Sequence, residues 1–341
     1  MGAHALDESD KDLAGLAASA RAELVREIEA EGAWADDPVW REAFAAVPRH
    51  LFVPYYYVGA VGGYERRWGE SPDPLTREKW VRGAYADVPL ATRLRDGELL
   101  SSSSQPSLMA MMLTELRVED GNRVLEVGAG TGYNAALLAH RLGDDDLVTT
   151  VDLEPEITES ARRHLEAVGH HPAVVTGDGA RGVPERAPFD RIIVTCALSS
   201  VPRAWLAQCS PGARILAPLA TGLIALTVRD AGRAEGRFLH TPAYFVPLRG
   251  AGRPEREPAD LAGIPRRAKE HELFRFLLSL TGGTLDPQEA LVLWEREEQP
   301  PRERYGITVC GEREWAWLDD PQGPYVWPLP AWSRRLSRGG S

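Results

Sequence analysis

The stretch VLEVGAGTGY, from Val124 to Tyr133, decides the fold of this 341-residue chain. An apolar segment runs directly into three glycines at alternate positions, and a helical pattern follows. Glycine allows the backbone to turn sharply and to approach a ligand closely, and the first turn of a helix presents unpaired N–H groups. We therefore predict a ligand-binding turn between a buried strand and a helix.

The spacing of the glycines distinguishes two classes of cofactor. A dinucleotide fingerprint needs Gly-x-Gly-x-x-Gly, and this chain has Tyr133 where the last glycine should stand. The pattern acid-x-Gly-x-Gly-x-Gly, which begins at Glu126, resembles motif I of the S-adenosylmethionine (SAM)-dependent methyltransferases. That resemblance implies a turn that accommodates the methionine part of SAM.

Further buried strands follow the turn, and ligand-type residues stand at their ends. Asp152 ends the strand 147–151 about 20 residues after the glycines, where an acid can accept hydrogen bonds from both ribose hydroxyls. The strand 173–176 leads to Asp178, whose carboxylate can read an adenine amino group. Another strand spans 191–195. Taken alone, Asp178 is equally compatible with a surface carboxylate that caps a helix or turn, and Asp152 less so. The occurrence of the three motifs in order favours a cofactor site over that interpretation.

Charge and hydropathy exclude several classes of function. The formal charge of −11 argues against a protein whose affinity comes from neutralising phosphates, so RNA and DNA are poor substrate candidates. The N-terminus is polar and acidic, and the sequence has no run of about 18 apolar residues. We therefore expect a cytoplasmic protein that does not act at a membrane.

Neither cysteines nor histidines form a metal-binding pattern. The three cysteines are widely spaced without a Cys-x-x-Cys pair, so we predict free thiols and no metal site. His170 and His171 precede a proline in a predicted loop, where a surface role is the better interpretation.

The order of predicted elements indicates three regions. Residues 1–104 form an N-terminal helical and substrate-loop region, residues 105–250 the cofactor-binding core, and residues 251–341 a C-terminal extension. The predicted elements are helices at 12–33, 38–47, 106–116, 270–280 and 287–294, a long loop at 55–85, an antiparallel edge pair at 223–229 and 238–246, a linker at 250–260, a hairpin at 305–318 and a disordered tail at 333–341.

With these motifs laid out, the chain resembles the protein-L-isoaspartate O-methyltransferase family over residues 24–250. Ser-Gln-Pro at 104–106, a short way before the glycine turn, is the most specific feature of the likeness, together with the FVP segment at 52–54. The resemblance implies an α/β fold with a Rossmann-like SAM-dependent methyltransferase sheet, helices on both faces, an N-terminal helical segment and a small α+β C-terminal extension. The remaining motifs are FAAVPRHLFVP (44–54), YADVPL (85–90), GDG (177–179), PFDRIIVT (188–195) and FVPL (245–248).

The resemblance also assigns roles to individual residues. Ser104 would stand at the transfer site with its hydroxyl toward the acceptor, whereas composition alone would favour a serine linker at 101–104. Ser103, Gln105 and Pro106 would bind the substrate. The residues implied to bind SAM, and to retain S-adenosylhomocysteine as product, are Glu126, Gly128, Ala129, Gly130, Thr131, Gly132, Tyr133, Asp152, Leu153, Asp178 and Gly179.

The chemistry of a carboxylate acceptor suits such a sparse site. An aspartyl-type carboxylate has a pKa of about 4, so the nucleophile is already charged at neutral pH and needs no general base. The enzyme must supply in-line alignment and exclude water. In the family, the methyl ester formed on isoaspartate is lost as a succinimide forms, and the succinimide can reopen to aspartate.

Several departures concern the acceptor rather than the cofactor. Ser103 stands where the family has an apolar residue, the stretch 55–85 is longer than in repair enzymes, and about 90 residues follow Leu248. Such extended relatives resemble methyltransferases that tailor ribosomally made peptides, including graspetides and lanthipeptides. There the target is an aspartate in a cyclised peptide, and the ester collapses to an aspartimide. Aromatic residues of 305–327 would then grip the peptide, or else form the core of the extension.

Three functions therefore remain open. The first is methylation of an aspartate in a cyclised peptide, the second is repair of isoaspartate in damaged proteins, and the third is a non-catalytic peptide-binding protein that retains the fold. Each implies a peptide or protein partner that carries aspartate or isoaspartate, whereas the oligomeric state has no signal in the sequence.

Overall fold

The computed structural model describes residues 8–34, 38–60, 63–95, 97–250 and 260–329. The chain forms two compact units, and the boundary between them falls inside the glycine turn. The first unit contains Met1–Gly121 and Ala129–Val175, and the second contains Asn122–Gly128 and Thr176–Ser341. Each unit combines two segments that are not consecutive in the chain. The three regions predicted from the sequence are consecutive segments, and their assignment to functions remains a prediction.

Helices make up most of the first unit, and the three predicted at 12–33, 38–47 and 106–116 are confirmed with small shifts at their ends. Pro106 begins the third of these helices, a position where the missing N–H of proline costs nothing. The helices are α1 (Glu8–Ala30), α2 (Pro38–Ala46), α3 (Arg49–Phe52), α4 (Pro74–Ala84), α5 (Pro106–Leu116), α6 (Tyr133–Leu142) and α7 (Pro155–Ala167).

The stretch 55–85 is not the long loop that its glycine, proline and aromatic content predicted. It contributes two strands and α4, and the strands join a four-stranded antiparallel sheet of order β2-β1-β3-β4. Tyr56 is buried between two less buried tyrosines, which is the alternation of a strand with one covered face. The strands are β1 (Tyr55–Ala60), β2 (Gly63–Trp68), β3 (Leu90–Arg95) and β4 (Glu98–Ser103).

Side-chain hydrogen bonds hold α4 beside this sheet. The Tyr56 hydroxyl donates to the Lys79 carbonyl at 3.1 Å, and the Trp80 indole donates to the Val53 carbonyl at 2.8 Å. Asp73 caps the start of α4 by accepting from the backbone N–H of Thr76. Helix α4 therefore packs against this sheet, which is not a pair of isolated hairpins.

Two predicted strands of the cofactor region lie as neighbours in the first unit. They are β6 (Val148–Asp152) and β7 (Ala173–Thr176), and α6 and α7 alternate with them along the chain. Every residue of 133–139 is buried in α6, so the helix that follows the glycine turn is part of the core.

The second unit contains eight neighbouring strands in the order β14-β13-β12-β11-β10-β9-β8-β5. Pairing is parallel from β5 to β8 and from β8 to β9, and antiparallel between all the others. The strands are β5 (Val124–Val127), β8 (Phe189–Val194), β9 (Cys209–Leu219), β10 (Gly222–Asp230), β11 (Arg233–Pro242), β12 (Tyr305–Cys310), β13 (Arg313–Leu318) and β14 (Val326–Pro328).

The antiparallel part differs from the prediction in two respects. Strand β9 was not predicted, and β11 ends at Pro242, four residues before the predicted end. The pair β10 and β11 is also not at the edge of the sheet, because β11 pairs with β12 on its other side. In that pairing Arg233 lies opposite Cys310 and Arg237 opposite Gly306. The predicted hairpin at 305–318 is confirmed, and it extends the same sheet.

The helices of the extension and these strands share one apolar core. The Phe276 ring lies 4.9 Å from the Phe238 ring and 5.4 Å from the Tyr305 ring, so the extension packs on β11. Tyr305, Trp317 and Trp327 are buried, so these rings form the core of the extension, which was the alternative to a peptide grip in the sequence analysis. The helices are α8 (Arg203–Leu206), α9 (Arg266–Glu270), α10 (Glu272–Thr281) and α11 (Pro287–Arg296).

Other predictions have simpler outcomes. Most of the linker 250–260 and the whole tail 333–341 lie outside the described residues. Within the described part of the chain, no helix has the length and apolar character needed to cross a bilayer. All three cysteines are free thiols, and burial raises the pKa of Cys209 to about 12.

Candidate active site

The glycine turn has the backbone conformation that its sequence predicts. Gly128, Gly130 and Gly132 have φ values of +103°, +52° and +87°, a region that side-chain-bearing residues rarely adopt. A Cβ on Gly132 would lie 3.2 Å from the Ala161 carbonyl oxygen, so α7 packs directly on the turn. Ala129 and Thr131, between the glycines, are buried.

Tyr133 begins α6, and its side chain points into the core of the first unit. Its ring lies 5.5 Å from the Phe52 ring and 6.2 Å from the Phe44 ring. Burial raises the pKa of the Tyr133 hydroxyl well above its usual range. Only the main chain of Tyr133 is therefore placed to serve the predicted cofactor, while its ring packs against the FVP segment.

Asp152 contacts the turn directly. Its Oδ2 accepts a hydrogen bond from the Gly130 backbone N–H at 3.2 Å, and its Oδ1 accepts from the Glu154 N–H at 3.4 Å. These contacts orient the carboxylate at the end of β6, and Leu153 follows it at the start of the loop to α7. The structure therefore brings together two of the predicted cofactor residues of the first unit.

In the second unit, Thr195 lies beside the start of the turn. Its hydroxyl donates to the Gly128 carbonyl at 2.9 Å, and a Cβ on Gly128 would collide with Thr195 Oγ1. Glu126 is buried within β5, one residue before the strand ends. Sequence reasoning placed Thr195 only as the last residue of a buried strand, and its role in packing the turn was missed.

Asp178 and Gly179 are held by neighbours that the sequence did not reveal. Asp178 Oδ1 accepts from the Ala180 N–H at 3.0 Å, and a Cβ on Gly250 would collide with the same oxygen. The Trp205 indole donates to the Gly179 carbonyl at 2.8 Å. The chain around residue 250 therefore approaches Asp178 so closely that only glycine fits there.

The segment 101–104 is not a linker, because Ser101–Ser103 belong to β4. The buried guanidinium of Arg49 donates to Ser103 Oγ at 3.3 Å and to the Ser104 carbonyl at 3.0 Å. Burial lowers the pKa of Arg49 to about 10, so it is still charged at neutral pH. Arg49 was predicted only as part of a motif, yet it also donates to the carbonyls of Ala84, Ala86 and Val88.

Gln105 and Pro106 have structural partners. The Gln105 amide donates to Asp87 Oδ2 at 2.8 Å, and Asp87 also accepts from the backbone N–H and the hydroxyl of Ser107 at 2.8 and 2.6 Å. Asp87 therefore caps the start of α5, where buried Pro106 occupies the first position. The substrate-binding role predicted for Gln105 and Pro106 remains untested by these contacts.

The serine segment lies against the glycine turn. A Cβ on Gly130 would be 3.5 Å from the Ser102 carbonyl oxygen and 4.0 Å from Ser101 Oγ. A cavity of about 60 Å³ opens beside them, far below the hundreds of Å³ that a SAM-sized ligand needs. It can hold only a few atoms; its polar lining consists of Thr92, Arg93, Ser101, Glu156, Ser160 and His164.

Histidines in the first unit serve the fold. Burial lowers the pKa of His50 to about 4, and its Nδ1 lies 2.7 Å from the Tyr85 hydroxyl. Burial also lowers the pKa of His164, whose Nδ1 donates to the Thr131 carbonyl at 2.9 Å. His170 Nδ1 lies 2.9 Å from Asp145, and the described residues contain no cluster of three metal-ligating side chains.

The cavity beside Gly130 is too small for SAM, so the cofactor is supported by the chemistry of the residues present in each unit and not by the cavity. Three glycines with positive φ shape the turn, and in the first unit the Asp152 carboxylate can accept hydrogen bonds from two hydroxyls. In the second unit the Asp178 carboxylate can accept a hydrogen bond from an amino group. The paired contacts lie within each unit, Gly130 with Asp152 in the first and Gly128 with Thr195 in the second.

Comparisons with known proteins agree with the motifs. The family model for protein-L-isoaspartate(D-aspartate) O-methyltransferase (PCMT) matches residues 73–251. A protein-L-isoaspartate O-methyltransferase from Hyperthermus butylicus is 36% identical over 245 residues, which cover 68% of this chain and 89% of that relative.

Two solved structures share the fold. A protein-L-isoaspartate O-methyltransferase has a TM-score of 0.59 and 23% identity, and covers 90% of this chain and 98% of its own. The second is a Plasmodium falciparum structure described as a protein-L-isoaspartate O-methyltransferase (PCMT) in complex with S-adenosyl-L-homocysteine. It has a TM-score of 0.50 and 16% identity, and it covers 67% of this chain and 97% of its own. The predicted α/β, Rossmann-like methyltransferase fold is confirmed.

Proposed function

Since the chain belongs to the protein-L-isoaspartate O-methyltransferase family and is a SAM-dependent methyltransferase, we propose that it methylates the free carboxylate of L-isoaspartyl residues in proteins and peptides. SAM is the methyl donor of the family, and S-adenosylhomocysteine is the product that remains after transfer. The ester would then be lost as the following backbone nitrogen attacks it, which gives a succinimide and methanol.

One observation carries this proposal: the serine segment of the family motif lies against the cofactor turn. The Ser102 carbonyl faces Gly130, and the buried Arg49 guanidinium holds the Ser104 carbonyl. Arg49 donates in turn to the carbonyls of Ala84, the last residue of α4, and of Ala86. The main chain at Ser104 is therefore held rigidly, as a transfer site requires.

The proposed role of Ser104 is to orient the acceptor. Its hydroxyl would donate to one oxygen of the substrate carboxylate, which leaves the other oxygen free to form the new C–O bond. Bound SAM supplies an electrophilic methyl on a positively charged sulfur, and that charge disappears as the methyl leaves. Because the acceptor is ionised with a pKa of about 4, the transfer needs no proton acceptor, and the low pKa values of His50 and His164 do not hinder it.

For the cofactor, we propose the residues that the family motifs assign. Asp152 would accept from the ribose hydroxyls, Asp178 would read the adenine amino group, and Gly128 and Gly130 would leave room for the methionine part. The other residues proposed to bind SAM are Glu126, Ala129, Thr131, Gly132, Tyr133 (through its main chain), Leu153 and Gly179.

Paired peptides test the acceptor. Two synthetic peptides of one sequence, with isoaspartate or with aspartate at the same position, are incubated with SAM and the protein, and methyl incorporation is followed by mass spectrometry. We expect rapid incorporation into the isoaspartyl peptide alone. Inertness toward isoaspartyl peptides of several sequences would remove the proposal.

A second candidate is methylation of an ordinary aspartate in a ribosomally made, cyclised peptide, which would yield an aspartimide. The four-stranded sheet favours it, because the extra length of 55–85 forms strands that carry aromatic side chains. The Arg66 guanidinium lies 4.4 Å from the Tyr55 ring centre and 5.7 Å from that of Trp68. The C-terminal extension does not favour the second candidate. The fold of a solved isoaspartate methyltransferase covers 90% of this chain, so a chain of this extent is not restricted to peptide-tailoring enzymes.

The two candidates differ in a simple measurement. A cyclised precursor peptide encoded near this gene should gain a methyl and then lose methanol if the second candidate holds. Under the first candidate the same peptide stays unmodified, while linear isoaspartyl peptides are methylated.

A further inference from the structure

Glu314 is a buried carboxylate outside every motif of the family. It lies in β13 of the C-terminal extension, opposite Val309 of β12, and its side chain has no exposure to solvent. A buried carboxylate is strongly unfavourable unless hydrogen-bond donors surround it. The identity of its donors therefore shows what the residue holds in place.

Two of its donors belong to the segment that follows β8. The Val201 backbone N–H donates to Glu314 Oε1 at 3.0 Å and lies 3.2 Å from Oε2. Arg203 Nη1 donates to Oε2 at 3.3 Å. We call residues 196–202 the β8 loop; Glu314 binds its carboxyl-terminal half across 113 residues of chain.

The amino-terminal half of the β8 loop adjoins the cofactor turn. Thr195, the residue before the loop, donates to the Gly128 carbonyl, and Cys196 Sγ is 3.0 Å from where a Cβ of Gly128 would lie. The Ala197 N–H donates to the Val246 carbonyl, and the Leu198 N–H to the Pro218 carbonyl, both at 2.8 Å. This half of the loop therefore has backbone anchors of its own.

The middle of the β8 loop contains a buried polar group whose free-energy cost other contacts must offset. Ser200 is completely buried, and its hydroxyl has no hydrogen-bond partner within the described residues. A buried hydroxyl in that state is unfavourable, because it has lost its hydrogen bonds to water without gaining one in the protein. Without an anchor at Val201, rotation of this segment toward water would relieve that cost and loosen the packing on Gly128.

We propose that Glu314 is a positioning residue for cofactor binding, because its buried carboxylate anchors the β8 loop and so keeps Thr195 and Cys196 packed against Gly128. The extension thereby contributes to the cofactor site without touching the cofactor. This inference depends on SAM as cofactor and not on which carboxylate accepts the methyl, so failure of the isoaspartate proposal leaves it intact.

Calorimetric titration with S-adenosylhomocysteine tests the inference on three variants. We expect Glu314→Ala to weaken binding about tenfold, because the Val201 N–H and Arg203 lose a charged acceptor. Glu314→Gln keeps a neutral acceptor for Val201 and should weaken binding about threefold. With saturating peptide, the KM for SAM should rise in the same order, while kcat stays within about twofold.

Glu272→Ala is the matched control. Glu272 forms an ion pair with the buried Arg302 in the same extension, so its loss should lower the melting temperature without changing the affinity for S-adenosylhomocysteine. Wild-type affinity in Glu314→Ala, or equal weakening in Glu272→Ala, would overturn the inference. If Glu314→Ala does not fold, Glu314→Gln decides, and unchanged affinity in that variant overturns the inference as well.

Discussion

The backbone N–H of Gly130 donates to the carboxylate of Asp152 at 3.2 Å, which ties the glycine turn to the end of β6. The two residues are 22 positions apart, and each was predicted from the sequence as part of the cofactor site. A carboxylate that is already oriented by the turn needs little rearrangement to accept from ribose hydroxyls.

Replacing Asp152 tests the assignment of the ribose acceptor. Asp152→Ala removes the charged acceptor and should weaken S-adenosylhomocysteine binding about tenfold to a hundredfold in a calorimetric titration. The control is Asp120→Ala, because Asp120 is exposed, pairs with Arg141 and stands outside the cofactor motifs. Equal affinity of wild type and Asp152→Ala would contradict the assignment.

Substitutions at Ser104 and Ser107 distinguish an effect on methyl transfer from an effect on folding stability. Ser104→Ala keeps the backbone carbonyl that Arg49 binds, so the fold should persist while kcat falls about tenfold or more and S-adenosylhomocysteine affinity is unchanged. Ser107→Ala removes a 2.6 Å hydrogen bond to Asp87 and should lower the free energy of unfolding by about 1 kcal/mol with little change in kcat. Steady-state kinetics measure kcat, and urea titrations measure the free energy of unfolding. A wild-type kcat in Ser104→Ala would exclude the proposed role of Ser104 in orienting the acceptor.

Gly250 tests the close approach to Asp178. A methyl at residue 250 would collide with Asp178 Oδ1, so Gly250→Ala should displace that carboxylate and weaken S-adenosylhomocysteine binding about tenfold. Gly212→Ala is the matched control, since Gly212 also has positive φ but no atom lies within 4 Å of its Cβ position. Similar weakening in both variants would point to backbone strain alone and refute the contact with Asp178.

His50 should make folding stability depend on pH. Its pKa is lowered from 6.5 to about 4 in the folded protein because of burial, so the unfolded chain binds a proton first as the pH falls. This contribution is fully present above about pH 6.5 and is lost progressively toward about pH 4. Urea midpoints across this range should fall less steeply for His50→Gln than for wild type. Parallel curves for His50→Gln and wild type would show that His50 is not responsible.

Local patterns predicted the elements whose signal lies in consecutive residues. The glycine turn, α5 and the hairpin around Gly311 follow from spacing alone, and the structure has each of them. The four-stranded sheet was missed because glycine and proline in 55–85 are typical of loops. Strand β9 was missed because Pro211 and Gly212, inside it, are typical of a turn.

Long-range partners could not be predicted, because nothing in the sequence links them. Arg49 was predicted only as part of a motif, and only the structure shows that carbonyls from residues 84–104 surround it. Thr195 was predicted as the last residue of a buried strand, and only the fold shows that its hydroxyl donates to the Gly128 carbonyl. Glu314 and Val201 are 113 residues apart, so their contact depends on β12 and β13 joining the sheet.

The central claim is that this enzyme esterifies the free carboxylate of an isoaspartyl residue. Fragmentation mass spectrometry of a linear peptide containing one isoaspartate and one aspartate, after brief incubation with SAM and the protein, tests it most directly. We predict one added methyl, located on the isoaspartyl residue, followed by loss of methanol. A methyl on the ordinary aspartate, or no methyl on any isoaspartyl peptide, would contradict the claim.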